Sequence, residues 1–236
     1  MTTLTEAVAD ITVLSDEECS RARDSIMALR PSWTLRNIWV PFYTLGAASY
    51  IDGAAGPDAY RGMADKYNPI LREHFSWLYQ RVTDVVGQHL GAPAACAETL
   101  GLPGFHIYLA SKIFEKPVAS IHCDSQYSFH DWSGQNADLD NPISFTLSIA
   151  LPQNGGGLNT WDVSYDQVLA RAGGTQADLV AGHQLVFHAY KKGNMALHSG
   201  HVLHQAAPAR DVQRSDERIT LQGHGILADG VWRLYW

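Results

Sequence analysis

The chain has 236 residues and a formal net charge of −7, and 46% of its residues are hydrophobic. These values fit one large domain with a sizeable core and argue against a disordered chain. The acidic balance argues against nucleic acid as a partner, because phosphate binding needs a basic surface. No signal peptide, basic amphipathic helix or run of about 18 apolar residues is evident, so we expect no membrane association. The three cysteines, Cys19, Cys96 and Cys123, are too dispersed for a disulfide framework, which favours a reducing, cytoplasmic location.

Helices are predicted to dominate the first part of the chain. Ser15 followed by Glu18 is a capping-box pattern, which predicts a helix from Asp16 to Leu29. The aromatic and β-branched stretch from Trp33 to Ile51 predicts one or two strands. A second helical region is predicted from Asp58 to Leu90.

This second helical region contains a proline. The pair Asn68-Pro69 is typical of an N-cap followed by a first helical residue, so we expect the helix to restart there. One stripe of the region is apolar and steps by three or four residues, which indicates a face that packs on a sheet. The members of the stripe are Leu71, Phe75, Leu78, Val82 and Val85.

Short strands separated by Gly, Pro, Asn and Asp follow Gly101. Apolar and small polar residues alternate between 143 and 151, so one face of that strand is apolar. About eight short strands favour a double-stranded β-helix, or jelly roll, and with the N-terminal supporting helices the fold class is α+β. We expect one domain over 1–236, with 1–100 mainly supporting helices and outer strands and 101–236 the jelly-roll core. The predicted strands are 105–114, 118–124, 143–151, 184–190, 194–198, 201–205, 217–226 and 231–236.

The segment from Val118 to Asp124 reads as a strand that enters a loop. Residues i and i+2 of a strand point to the same face, so His122 and Asp124 are expected to project together. An imidazole and a carboxylate side by side can occupy two positions on one metal ion. A lone His-x-Asp pattern is nevertheless weak evidence.

A third ligand is available further along the chain, where His198, His201 and His204 lie close together in sequence. Two histidines and one carboxylate on one face of a metal leave three positions open, which is the facial triad of non-haem iron(II) oxygenases. The alternative is that these histidines only cap or pack the sheet.

Arg218 and Thr220 form another i, i+2 pair on a predicted strand. A guanidinium and a hydroxyl aimed the same way make a socket for a carboxylate, because arginine donates in a planar fork. An ordinary exposed Arg and Thr would be the simpler interpretation of this pair taken alone.

Together, His122-x-Asp124, Leu203-His204-Gln-Ala and Arg218-x-Thr220 resemble the motifs of the iron(II)- and 2-oxoglutarate-dependent dioxygenase superfamily. The resemblance extends over roughly residues 104–226 and is nearest to the prolyl-4-hydroxylase-like branch. It implies a jelly-roll core, Fe(II) as the metal and 2-oxoglutarate as co-substrate.

The resemblance implies that His122, Asp124 and His204 ligate the iron. His204 is preferred over His198 and His201 because the Gln-Ala-Ala-Pro stretch that follows it resembles the family's motif and its spacing to the later arginine fits best. The roles of His198 and His201 stay open.

The resemblance also implies that Arg218, assisted by Thr220, binds the far carboxylate of 2-oxoglutarate. Tyr108 lies on the strand before His122, where the family often places a tyrosine that touches 2-oxoglutarate. The gap from Tyr108 to His122 is longer than usual, so a core tyrosine is the competing interpretation.

The activity implied is oxidation of an unactivated C–H bond with release of succinate and CO2. Asp124 favours hydroxylation, desaturation or ring closure over halogenation, since related halogenases have Gly or Ala where this carboxylate stands. The expected substrate is a small molecule, such as an amino-acid derivative or a natural-product intermediate; peptide substrates and the oligomeric state stay open. The alternatives are a cupin-like metalloenzyme without 2-oxoglutarate, a zinc hydrolase, for which no His-Glu-x-x-His motif is present, and a non-catalytic metal-binding jelly roll.

Overall fold

A computed structural model describes residues 8–171 and 175–236. Five helices and twelve strands lie within those residues. The helices are α1 (Asp16–Ala28), α2 (Ser49–Asp52), α3 (Pro57–Leu90), α4 (Tyr165–Ala170) and α5 (Gln176–Val180). The strands are β1 (Val8–Thr12), β2 (Thr34–Leu35), β3 (Phe42–Leu45), β4 (Ala94–Cys96), β5 (Gly104–Leu109), β6 (Ala137–Ala150), β7 (Gly155–Trp161), β8 (Leu185–Ala189), β9 (Asn194–Ser199), β10 (Leu203–Ala209), β11 (Glu217–Ala228) and β12 (Val231–Tyr235). Among the described helices, none combines the length and apolarity that crossing a membrane requires.

Helix α1 begins where the sequence predicts. The Ser15 side chain accepts a hydrogen bond from the Glu18 backbone N–H, and the Glu18 carboxylate accepts one from the Ser15 backbone. Both groups would otherwise be unpaired at the helix start, so this reciprocal cap defines the first residue of the helix.

Helix α3 does not restart at Asn68-Pro69, contrary to the sequence-based expectation. It runs through Pro69, and its dihedral angles leave the helical range at Phe75 (φ −129°, ψ 17°). Asn68 is therefore no N-cap. Its side-chain amide donates to the Leu100 carbonyl, and its oxygen accepts from the Leu102 backbone, both at 2.9 Å. A proline inside a helix removes one hydrogen bond and crowds the preceding turn, so tertiary anchoring has overridden the local signal.

The larger sheet has nine strands. Its main path is β1-β9-β6-β11-β5-β3-β2, and β12 pairs with both β11 and β4. Strand β11 organises the sheet because it pairs with β6 along one side and with β5 and then β12 along the other. Helices α1 and α3 pack against one face of this sheet and form the main core with it. The apolar stripe of α3 faces that core: Leu71, Phe75, Leu78 and Val82 are buried and Val85 is half-buried.

The smaller sheet contains β10, β7 and β8. The predicted strand 118–124 is wrong as a regular strand, because only His122 pairs, through a single bridge to His204. The strand predicted at 105–114 ends at Leu109, and Lys112–Glu115 forms a 3-10 turn that the Ser111 hydroxyl caps. The strand predicted at 201–205 begins two residues later, at Leu203. Elsewhere the predicted strands differ from the observed ones mainly at their ends, and the jelly-roll core with supporting helices is confirmed.

Candidate functional site

A cavity of about 420 Å³ lies between the two sheets. The larger sheet contributes residues of β5, β6 and β11, and the smaller sheet contributes residues of β7 and β10. Along each strand, successive side chains point alternately into the core and into the cavity. Ile219 and Leu221 of β11 are buried in the core, whereas Arg218, Gln222 and His224 line the cavity. The cavity is therefore built on the rigid strands of the barrel.

His122, Asp124 and His204 meet inside this cavity. The Nε2 atoms of the two histidines each lie 3.5 Å from an oxygen of Asp124. One ligand atom from each residue falls within 4.8 Å of the others, so the three could hold one metal ion. The bridge between His122 and His204 brings the ligands together, since their backbone N–H groups donate to each other's carbonyls at 2.9 Å. The structure thus gathers the three residues that the motif names.

The tautomers of the two histidines suit metal binding. His122 Nδ1 donates to the Ser120 carbonyl at 3.0 Å, and His204 Nδ1 donates to the Val202 carbonyl at 2.9 Å. A carbonyl only accepts, so Nδ1 carries the proton and the Nε2 lone pair faces Asp124. Hydrogen bonds of this kind orient metal-ligating histidines in proteins.

The charge states also suit a metal. Burial lowers the pKa of His204 to about 3, so its imidazole is neutral at ordinary pH. Burial alone would raise the pKa of Asp124, but the surrounding imidazoles, His204 first among them, hold it well below its usual range. A neutral imidazole and an ionised carboxylate are the protonation states in which these groups bind a divalent ion. Gln126 further orients Asp124 by donating from Nε2 to Oδ1 at 3.1 Å.

The two histidines that the sequence left open have different positions. The buried ring of His198 packs edge-on against His204 with centroids 4.7 Å apart, beside the three-residue cluster but outside it. His201 lies away from the cavity lining, stacked on Tyr165 at 3.9 Å and hydrogen-bonded to the Tyr127 hydroxyl at 3.1 Å. His201 therefore anchors α4 to the barrel.

Arg218 lies at one end of the cavity. Its two terminal nitrogens donate to carbonyls of the smaller sheet, those of Ala207 at 3.1 Å and Gly157 at 3.5 Å. Its Nε is buried and has no partner among the described residues. The rings of Tyr108 and Tyr190 lie 5.8 and 5.2 Å from the guanidinium carbon. An anchored cation with an unpaired N–H fits an anionic group such as a carboxylate.

Thr220 and Tyr108 occupy different surroundings. Thr220 is fully buried, and its hydroxyl accepts from Gln222 Nε2 at 2.9 Å, which leaves the hydroxyl proton free to be donated. It is not among the residues that line the cavity, so its role toward a carboxylate stays a prediction. Tyr108 does line the cavity, and its ring stacks on Phe42 with centroids 4.5 Å apart. Burial raises the pKa of Tyr108, so the phenol remains protonated and able to donate.

Several cavity residues have no counterpart in the motifs. His224, whose Nδ1 lies 3.9 Å from Asp124 Oδ2, could have been found, because it continues the i, i+2 series of Arg218 and Thr220. Tyr50 and Trp236 could not have been found, because they lie far from each other in the sequence and no local pattern connects them to the motifs.

No protein-family model matches the sequence, and no curated protein matches it. Solved structures do match. An N-substituted L-amino acid dioxygenase from Burkholderia ambifaria AMMD gives a TM-score of 0.59 at 17% identity, over 98% of this chain and 86% of that chain. A complex of such a dioxygenase from the same organism with α-ketoglutarate gives 0.56 at 16% identity, also over 98% and 86%. The non-haem α-ketoglutarate-dependent epimerase SnoN from nogalamycin biosynthesis gives 0.52 at 13% identity, over 93% and 77%.

At these identities the likeness establishes the fold. The chain has the jelly-roll fold of the iron and 2-oxoglutarate dioxygenases, which confirms at the level of fold the resemblance predicted from the motifs.

Proposed function

We propose that this protein is an Fe(II)- and 2-oxoglutarate-dependent oxygenase that hydroxylates an unactivated C–H bond of a small molecule. In the balanced reaction, one oxygen atom of O2 enters the substrate and the other enters succinate as 2-oxoglutarate loses CO2. The observation that carries the proposal is the placement of two tautomer-fixed histidines and one carboxylate in the same cavity as an anchored arginine.

Each residue has a stated role in this proposal. His122, Asp124 and His204 would hold Fe(II), which together with 2-oxoglutarate supplies the oxidising chemistry once both are bound. Arg218 would neutralise the far carboxylate of 2-oxoglutarate, with Thr220 and Tyr108 as further donors.

Asp124 supports hydroxylation over halogenation, because its carboxylate fills a position that a halide would otherwise need. The free thiols of Cys19, Cys96 and Cys123 support action in a reducing, cytoplasmic environment.

Anaerobic addition of Fe(II) and 2-oxoglutarate tests the proposal. We expect a weak visible charge-transfer band in the wild-type protein and in His201→Ala, which removes a nearby histidine outside the cavity. We expect no band in His204→Ala. A band of equal strength in His204→Ala, or none in folded, iron-loaded wild type, would overturn the assignment. Asp124→Gly should also lose hydroxylation, and wild-type turnover in that variant would contradict the ligand role of Asp124.

A further inference from the structure

The cavity has two ends, and strand pairing sets their separation. Arg218 lies opposite Tyr108, and Gln222 lies opposite Gly104. Four residues along a strand span about 13 Å, so the Arg218–Tyr108 pair and the Gln222–Gly104 pair are well separated. Beside Gly104 the Trp236 ring fills the space that a side chain would take, since a Cβ there would lie 2.0 Å from Trp236 Cε3. Trp236 therefore forms the end of the cavity remote from Arg218.

Aromatic rings line this remote end. Besides Trp236, it includes Tyr50, His106 and Phe129. The His106 ring meets the Trp236 ring edge-on with centroids 5.2 Å apart, and Phe129 is 56% exposed. Flat apolar surfaces of this kind favour a flat, apolar ligand.

The described lining of the cavity provides no charged side chain that could pair with a charged substrate. Among its described lining residues Asp124 is the one acidic side chain and Arg218 the one lysine or arginine, and the proposed function already uses both. Burial lowers the pKa of His106 to about 3, so the imidazole at this end of the cavity is neutral. A substrate carboxylate or ammonium would lose its hydration here without gaining an opposite charge, which is strongly unfavourable.

Tyr50 and His106 nevertheless offer a polar contact. The Tyr50 hydroxyl lies 2.6 Å from His106 Nε2. Burial raises the pKa of Tyr50 well above its usual value, so the phenol stays protonated and the pair holds two exchangeable protons. One proton occupies the bond between them. The other is left for a ligand, either on Tyr50 oxygen or on His106 Nδ1, whichever tautomer is present.

We propose that the end of the cavity lined by Tyr50, His106, Phe129 and Trp236 binds an uncharged aromatic compound whose carbonyl or hydroxyl oxygen accepts a hydrogen bond from the Tyr50–His106 pair. This substrate class rests on the proposed function for its reaction, but the binding it describes does not need iron. The site discriminates against free amino acids and other charged substrates.

Three probes of one shape test this proposal by calorimetry: 2-acetylnaphthalene, which is neutral and has a carbonyl; 2-naphthoate, which is charged; and 2-ethylnaphthalene, which has no oxygen. We expect the ketone to bind most tightly and the carboxylate to bind at least about tenfold more weakly than the ketone. In Tyr50→Phe the ketone should lose about two- to tenfold in affinity, while 2-ethylnaphthalene is unchanged. Tyr43→Phe, which removes a tyrosine hydroxyl outside the cavity, should leave all three affinities unchanged.

In the Fe(II)/2-oxoglutarate form, where 2-oxoglutarate would occupy Arg218, binding of 2-naphthoate equal to or tighter than that of the ketone would overturn the proposal. Equal binding of the ketone and 2-ethylnaphthalene, or no binding of any probe, would also overturn it. The titrations are made on both the iron-free protein and the anaerobic Fe(II)/2-oxoglutarate form. Selective binding of the ketone without a charge-transfer band would contradict only the proposed oxygenase activity. A charge-transfer band without selective binding would contradict only the proposed substrate class.

Discussion

Arg36 and Asp52 form a buried ion pair that fastens α2 to the sheet. Two guanidinium nitrogens of Arg36 lie 2.6 and 2.8 Å from the two carboxylate oxygens of Asp52, and the third donates to the Thr44 hydroxyl at 2.6 Å. Asp52 also accepts from the Ala48 backbone at 2.8 Å. The two side chains are only 9% and 7% exposed, so water cannot replace either partner.

The substitution Asp52→Asn keeps the shape of the side chain and removes its charge. It leaves the Arg36 guanidinium buried without compensation, which costs about 3–5 kcal/mol. That is a large part of the roughly 5–15 kcal/mol by which folded domains are stable. For a chain of this length each kcal/mol corresponds to about 2–4 °C in melting temperature, so we expect a loss of about 6–20 °C.

Urea and thermal unfolding of the two proteins measure this loss. The control is Asp24→Asn, because Asp24 pairs with Arg23 on the surface, where the side chains are 77% and 42% exposed. Such a pair contributes about 0–1 kcal/mol. A loss below about 1 kcal/mol in Asp52→Asn, similar to the control, would refute the argument that burial makes the Arg36 pair indispensable.

Three further predictions follow from the cavity. Arg218→Lys loses the planar fork and should weaken 2-oxoglutarate binding about 10- to 150-fold in anaerobic titrations. Arg81→Lys makes the same change on the surface of α3 and should leave this affinity unchanged. Equal affinities of Arg218→Lys and the wild type would contradict the role of Arg218. Gly104→Ala should destabilise the protein by about 1–3 kcal/mol, because its Cβ would overlap an indole ring. The control Gly62→Ala lies in open space on α3 and should stabilise the protein slightly. Equal melting temperatures of the two variants would contradict this packing. Burial holds the pKa of His106 at about 3 against about 6.5 in an unfolded chain. The unfolded state therefore binds more protons as pH falls from about 6.5 to 3, so the unfolding free energy should fall over that range, and less steeply in His106→Asn; identical pH profiles would argue against a neutral buried imidazole.

The sequence predicted those features that depend on local periodicity. The capping box at Ser15 predicted the start of α1 correctly, because the side chains that pair with the unpaired backbone N–H groups lie within three residues of each other in the sequence. Alternation from 143 to 151 placed the centre of β6, which in fact begins at Ala137. Of residues 137–141 only Ala137 and Leu139 are apolar, and residues 139–141 are exposed, so no sustained hydrophobic pattern marks this end of the strand.

The pairing of distant segments could not be predicted in the same way. The segment around His122 was expected to be a strand that enters a loop, yet it pairs only at one residue. His122 and Asp124 still point into one cavity because extended backbone suffices for that, with or without a neighbouring strand. Tyr50 and Trp236 enter the cavity through the packing of α2 and of the last residue against the sheet, which depends on tertiary contacts such as the Ser49 hydroxyl bond to the Trp236 carbonyl at 2.7 Å.

The backbone bridge between His122 and His204 also determines how a bound ion would affect folding. The chain between these residues contains four complete strands, β6 to β9. An ion ligated by both histidines would act as a reversible cross-link around that whole stretch, restricting the unfolded chain as any loop closure does. Among the described residues, the backbone of the segment before Asp124 pairs with the smaller sheet only at this bridge. Removing a bound ion with a chelator should therefore raise amide hydrogen exchange in β10 more than in the larger sheet.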